Sequence, residues 1–158
     1  MKKNLCMTLV VGLIATFGVA QADVENRYFQ IQVKQIAGGQ SPFFAPPSPP
    51  GPNCYSFLED GTWLDPLFLG PPLGIFPGIW ELVDSIGAVT RYTAMADSPA
   101  FPVFDLPALT LVQEGQITPT TGNGKVRLQA FSTVYVAGTL IVLAEFMSTG
   151  YEVDTCPE

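Results

Sequence analysis

Short runs of alternating apolar and polar residues limit this chain to a fold built from β-strands. The clearest run is Phe29–Lys34, in which every second side chain is apolar. A period of two places those side chains on one face of an extended strand, whereas a helix repeats every 3.6 residues. The alternation therefore predicts strands that are buried on one face and solvated on the other.

Tight turns separate these runs. Asp60-Gly61 and Asn123-Gly124 are dipeptides that readily adopt the positive φ angles a two-residue hairpin turn requires. Together the runs and turns predict about seven or eight strands, the last of them interrupted near Gly150. The predicted strand regions are Phe29–Lys34, Cys54–Trp63 (two strands), Ile79–Asp84, Val89–Met95, Leu109–Thr118, Lys125–Val136 and Leu140–Val153.

Hairpins connect most of these strands, and no amphipathic helix lies between them. This order predicts an all-β, antiparallel, up-and-down meander. The stretch Leu140–Met147 has two interpretations, because Leu140–Ala144 is apolar on both faces and could form a short buried helix. Its β-branched residues and flanking glycines favour a strand, which would need cover from a loop or from another subunit. Closure of the meander into a small barrel would remove the exposed sheet edges.

The first 22 residues have the pattern of a secretory signal peptide. Lys2 and Lys3 precede an uncharged apolar run, Leu5–Val19, and Ala20-Gln21-Ala22 is a small-x-small cleavage site. We expect export to the periplasm or the extracellular space, and we expect residues 23–158 to form a single domain.

Two cysteines, Cys54 and Cys156, lie beyond this segment. In an oxidising compartment they predict one disulfide with a structural role, since no Cys-x-x-Cys motif is present. The bridge would bring the end of the chain beside an early strand, as closure of a barrel requires.

The chain is acidic after residue 22, with five basic residues against 14 acidic ones and a net charge of −9. The basic residues are scattered, so a nucleic-acid partner is not expected, because phosphate binding needs clustered Lys and Arg. No later apolar stretch reaches the roughly 20 residues of a membrane-spanning helix, and we expect a soluble protein.

The sequence contains no histidine, which excludes Ser-His-Asp and Cys-His catalysis and imidazole-bound metal sites. The acidic residues are expected on solvated turns and outer faces, and they do not have the regular spacing of a calcium loop. We therefore expect no catalytic residues, no metal and no cofactor, and a protein without enzymatic activity is favoured.

Two segments combine prolines with large apolar residues. Residues 37–53 contain six prolines from Pro42 to Pro52, and Leu67–Gly78 contains three more. Proline prevents regular structure there, and apolar loops are rarely left in water. They are expected either to fold back over one end of the barrel or to form a contact surface for a partner or ligand.

The candidate ligand-binding residues are large rings, one cation and loop phenylalanines. The rings can line a pocket or simply fill a narrow barrel. The cation can contact a ligand, pair with an inward acid or close the barrel end. These candidates are Trp63, Trp80, Tyr92, Arg91, Phe68 and Phe76.

Three segments carry a family resemblance: Tyr55-Ser56-Phe57, Asp60-Gly61-Thr62-Trp63 and Gly78-Ile79-Trp80. They resemble small secreted lipocalin-like β-barrel proteins of bacteria, over the stretch Cys54–Met95. Gly-x-Trp opens the first barrel strand of lipocalins, whereas here it occurs twice and neither copy opens the chain after residue 22. The resemblance implies a barrel that holds a small apolar molecule.

Three functions therefore remain open. The leading hypothesis is an exported, non-enzymatic barrel that binds a small apolar molecule. The second is a structural or interaction module, including a homo-oligomer, that uses the apolar Pro-rich loops. The third is a barrel enzyme that guides a reactive intermediate with carboxylate, tyrosine or arginine side chains.

Overall fold

Eight antiparallel strands form a closed barrel in chain order. The structure, a computed structural model, describes residues 26–38, 53–65, 76–121 and 124–156. Each strand pairs with the next, and β8 pairs back with β1, which confirms the predicted closed meander. The strands are β1 (Arg27–Gly38), β2 (Asn53–Phe57), β3 (Thr62–Leu64), β4 (Gly78–Ile86), β5 (Val89–Ser98), β6 (Leu109–Pro119), β7 (Val126–Val136) and β8 (Val142–Val153).

The two ends of the barrel differ. β2, β4 and β6 end at what we call the tight-turn end, where short turns lead into the next strand. β1, β3, β5 and β7 end at the opposite end, the loop end, where long stretches of sequence follow β1, β3 and β5 and a short turn follows β7. The apolar Pro-rich segments of the sequence connect strands there, but residues 39–52 and 66–75 lie outside the described residues.

The last strand differs from its prediction in two ways. β8 runs without interruption through Gly150, whose missing side chain lets β1 approach: a Cβ there would lie 2.3 Å from the carbonyl oxygen of Gln30. Leu140 and Ile141 precede β8 and are exposed, not buried on two faces. They belong to a turn in which Thr139 Oγ1 donates to the Val136 carbonyl oxygen at 2.8 Å.

β2 is buried on both faces. Tyr55 and Phe57 point into the barrel, while Cys54 and Ser56 face outward and are covered by the segment that follows β8. The predicted disulfide is present: Cys54 and Cys156 are bridged with a Cα–Cα distance of 5.6 Å, and Ser56 Oγ lies 3.4 Å from the Cys156 sulfur. The bridge thus fastens the end of the chain across β1, which lies between β2 and β8.

Inward-facing side chains from all eight strands form one continuous core. The alternation seen in the sequence is reproduced in the burial of β5, where Tyr92, Ala94, Ala96 and Ser98 are buried and the residues between them are not. Within the described ranges, no helix has the length and hydropathy needed to cross a membrane.

Candidate functional site

Aromatic rings fill the half of the barrel nearer the tight-turn end. Phe57, the last residue of β2, is their centre: its ring lies 4.9 Å from that of Tyr92, 5.3 Å from Trp80 and 5.8 Å from Phe29, centroid to centroid. These edge-to-face arrangements are the geometries that aromatic pairs prefer. With Tyr55 and Trp63, whose rings are 5.8 Å apart, these residues form what we call the aromatic cluster.

The structure therefore brings together three of the predicted ligand-binding residues, Trp63, Trp80 and Tyr92. All three point into the barrel and are buried. The Trp80 indole N–H donates to the Leu58 carbonyl oxygen at 2.9 Å, which anchors this ring beside the turn between β2 and β3.

Five polar side chains cross the middle of the barrel and form what we call the polar layer. The Tyr92 hydroxyl donates to Gln113 Oε1 at 2.7 Å, and Gln113 Nε2 donates to Ser132 Oγ at 2.9 Å. On the other side, the hydroxyl oxygens of Tyr55 and Ser148 are 2.8 Å apart and share a hydrogen bond. All five side chains are buried, and they come from β2, β5, β6, β7 and β8.

A glycine makes room for one of these contacts. A Cβ on Gly115, in β6, would lie 2.4 to 2.5 Å from atoms of the Tyr92 ring. Because position 115 has no side chain, the ring can lie across β6 and place its hydroxyl against Gln113, two residues away on the same face.

Burial raises the pKa of both tyrosine hydroxyls in the polar layer far above the usual value. For Tyr55 the nearby Asp65 carboxylate adds to the effect of burial. For Tyr92 burial is again the main cause, followed by the negative charges that Tyr55 and Asp65 can carry. Asp65 itself is buried at the end of β3. Both hydroxyls therefore remain protonated at neutral pH, and that of Tyr92 donates to Gln113.

The half of the barrel nearer the loop end is lined by smaller side chains. On β4 and β5 they are Gly78, Ala94, Ala96 and Ser98, which we call the small-residue wall. Other strands contribute buried aliphatic residues, namely Leu109, Leu111, Val134 and Ala144. A ring pair lies at this end, since Phe76 and Phe101 are 5.8 Å apart and both pack against the core.

The remaining predicted candidates lie elsewhere. Arg91 is exposed on the outer surface, where its guanidinium makes two hydrogen bonds to the Asp84 carboxylate, one of 2.7 Å. Phe76 is half-buried at the loop end, while Phe68 lies outside the described residues. Arg27, at the start of β1, was not a candidate; it lies 5.3 Å from the Phe29 ring centroid and pairs with Glu152.

The three non-aromatic members of the polar layer were not among the residues predicted from the sequence. Gln113, Ser132 and Ser148 each occupy an inward position of an alternating strand, where the neighbouring inward residues are apolar or small. The sequence could have indicated them, because each is a polar residue at a position where the alternation predicts an inward-facing apolar side chain. The described residues contain no group of three or more Cys, Asp or Glu side chains that could hold a metal ion.

Comparison of the sequence with models of protein families found no match, and comparisons with curated proteins and with solved structures likewise found none.

Proposed function

We propose that this protein is an exported, non-enzymatic barrel that binds a small apolar molecule in the half nearer the loop end. The observation that carries the proposal is the change in side-chain size along the interior. Aromatic rings fill the half nearer the tight-turn end, whereas glycine, alanine and serine line β4 and β5 in the other half.

The size of the barrel supports this division. An eight-stranded barrel has an interior just wide enough to be filled by side chains or to hold one small ligand. The small-residue wall contributes little volume from its own strands, so a bound molecule can replace the side chains that a filled barrel would need. The lipocalin-like resemblance implies the same use of a closed antiparallel barrel.

Phe76 and Phe101 support a route of entry at the loop end. Their rings pack against each other and against the core from outside the strands. Side chains on connecting segments can move without breaking the strand pairing, so this ring pair is suited to cover the mouth of the barrel.

The disulfide supports export. Bridges such as Cys54–Cys156 persist in oxidising compartments and are rare in the cytosol. Together with the signal-like residues 1–22, which lie outside the described residues, it favours the periplasm or the extracellular space.

The test is to fill the proposed site. We expect the uncharged dye N-phenylnaphthylamine to bind the chain that starts at residue 23, with increased fluorescence, and Ala96→Leu to abolish binding while preserving the fold. The matched control is Ala100→Leu, which adds the same side chain at an exposed position. If the barrel is instead filled, Ala96→Leu overpacks it and lowers the free energy of unfolding by about 1 to 3 kcal/mol, and the original chain binds no dye.

One observation favours the interaction module as the second candidate. The β4–β5 hairpin exposes Val83 and Ile86, and the β7–β8 turn exposes Leu140 and Ile141. The two pairs lie at opposite ends of the barrel, and each can form a contact between copies of the chain. Light scattering over a range of protein concentrations tests it: a dimer that Ile86→Ser dissociates would favour this function, and a monomer at every concentration would remove it.

A further inference from the structure

Two polar groups inside the barrel have no hydrogen-bond partner. Among the described residues, the buried side-chain atoms in this state are Trp63 Nε1 and Ser98 Oγ. Trp63 is fully buried and Ser98 is 5% exposed. Buried donors are nearly always paired, so each unpaired one requires a specific explanation.

The two groups belong to the same part of the interior wall. Trp63 pairs with Gly78 on β4. A Cβ on Gly78 would lie 2.9 Å from that of Ala96, so Ala96 is its neighbour on β5. Ser98 is the next inward residue on β5 toward the loop end. Ser98 thus belongs to the small-residue wall, and Trp63 lies on the strand next to it, beside Gly78.

The other inward-facing polar side chains have a different arrangement. The members of the polar layer bond to one another, and the second tryptophan, Trp80, donates its indole N–H to the Leu58 carbonyl oxygen. Trp63 and Trp80 are the only tryptophans of the chain, so one indole is paired and the other is not.

The surrounding charges select against an anion. Of the five basic residues beyond position 22, Lys34, Arg91, Lys125 and Arg127 are exposed and Arg27 pairs with Glu152 at the tight-turn end. Asp65, by contrast, is a buried acid whose charge acts on both tyrosines of the polar layer. A carboxylate placed beside the small-residue wall would meet this negative charge and no buried cation from the described residues.

We propose that the bound molecule is a neutral apolar compound with a carbonyl oxygen, such as an aliphatic ketone or ester. Its oxygen accepts a hydrogen bond from the Trp63 indole N–H, with the Ser98 hydroxyl as a second donor on the same wall. The hydrocarbon part lies against Ala94 and Ala96. This inference rests on the proposed function and names the chemical class of its ligand.

The experiment compares three molecules of equal chain length: methyl heptyl ketone, nonane and nonanoate. Each is titrated into the isotope-labelled chain that starts at residue 23, and the two indole N–H signals are followed by proton–nitrogen correlation spectra. The signals are assigned with Trp80→Phe. We expect the ketone to shift the Trp63 signal downfield, nonane to leave it nearly in place, and the Trp80 signal to serve as an internal reference.

A conservative variant tests the second donor. Ser98→Ala should weaken binding of the ketone about fivefold, which is the value of one hydrogen bond, and leave the affinity for nonane unchanged. Ser85→Ala, at an exposed position of β4, is the matched control and should change neither affinity.

Each other outcome overturns a defined part of the proposal. Equal binding of ketone and nonane with an unmoved Trp63 signal would overturn the carbonyl inference and leave the proposed apolar site intact. Tightest binding of nonanoate would show that the ligand class is wrong. Failure of all three molecules to bind would overturn the inference together with the proposed function.

Discussion

Single residues in the interior of this barrel show how polar groups are placed within an apolar core. The hydroxyls of Tyr55 and Tyr92 are buried, and each has a hydrogen-bond partner from another strand. Burying a hydroxyl without a partner costs about 1 to 3 kcal/mol, so these pairings favour one arrangement of the strands over others. Trp63, fully buried without a partner, is the exception in the same region.

The raised pKa values of the two tyrosines predict a loss of stability at alkaline pH. A hydroxyl whose pKa is higher in the folded chain keeps its proton there, while the unfolded chain releases it above about pH 10. Below about pH 10 the ionisation of these two groups therefore does not change the free energy of unfolding. Above it, the free energy of unfolding falls by about 1.4 kcal/mol per pH unit for each tyrosine.

Denaturant unfolding at a series of alkaline pH values measures this slope. We expect Tyr92→Phe to halve it, because one of the two hydroxyls is removed. Tyr151→Phe, changed at a half-exposed position on the outer surface, keeps both buried hydroxyls and should keep the full slope. An absorbance signal of tyrosinate from Tyr55 in the folded chain would contradict the prediction.

At the scale of elements, glycines decide how closely neighbouring strands and side chains approach. A Cβ at Gly115 would meet side-chain atoms of Tyr92. A Cβ at Gly150 would meet the backbone oxygen of Gln30 at 2.3 Å and Ile31 Cγ2 at 2.8 Å. The contact with the Gln30 oxygen cannot be relieved by rotation of a side chain, because backbone atoms of β1 are held by pairing with β2 and β8.

Gly150→Ala should therefore open the pairing between β1 and β8. We expect the free energy of unfolding to fall by about 3 to 5 kcal/mol, the range of severe core defects, and amide hydrogen exchange in β1 to accelerate. Thr149→Ala, one position earlier and pointing away from the core, should change stability by no more than about 1 kcal/mol. A Gly150→Ala variant as stable as the original chain would show that the two strands can separate without loss.

At the scale of the whole molecule, strand pairing and the disulfide both hold together the place where the first and last strands meet. β1 lies between β2 and β8, and the bridge between Cys54 and Cys156 passes over it. The two cysteines are 102 residues apart in sequence. A cross-link that closes so long a loop removes much of the freedom of the unfolded chain, about 4 to 5 kcal/mol in the chain-entropy model.

Replacing both cysteines with serine should lower the free energy of unfolding by about 2 to 5 kcal/mol, as measured by urea denaturation. The original chain from residue 23, reduced under the same conditions, is the control and should lose a similar amount. Thiol titration of the denatured, unreduced chain should find no free thiol, and two free thiols would contradict the bridge.

The strand pattern could be predicted from particular residues, and the polar interior could not. Phe29–Lys34 alternates clearly, and Asp60-Gly61 predicts the turn that joins β2 to β3. The strongly apolar Leu140 and Ile141 were misleading, because hydrophobicity does not distinguish a buried strand from an exposed turn. Gln113 was overlooked because a single polar residue at an inward-facing position of a strand can be interpreted only when its hydrogen-bond partners on other strands are known.

The sequence by itself determined the all-β class, the antiparallel order and the single cysteine pair, because alternation, turn dipeptides and disulfide chemistry depend on neighbouring residues or on simple counting. The tertiary structure decided the closure at eight strands, the division between aromatic cluster and small-residue wall, and the isolation of the Trp63 indole. These features depend on the tilt and register of strands far apart in the chain, where contacts such as Tyr55 with Ser148 arise. Register is a property of the whole closed sheet, and no local stretch of residues encodes it.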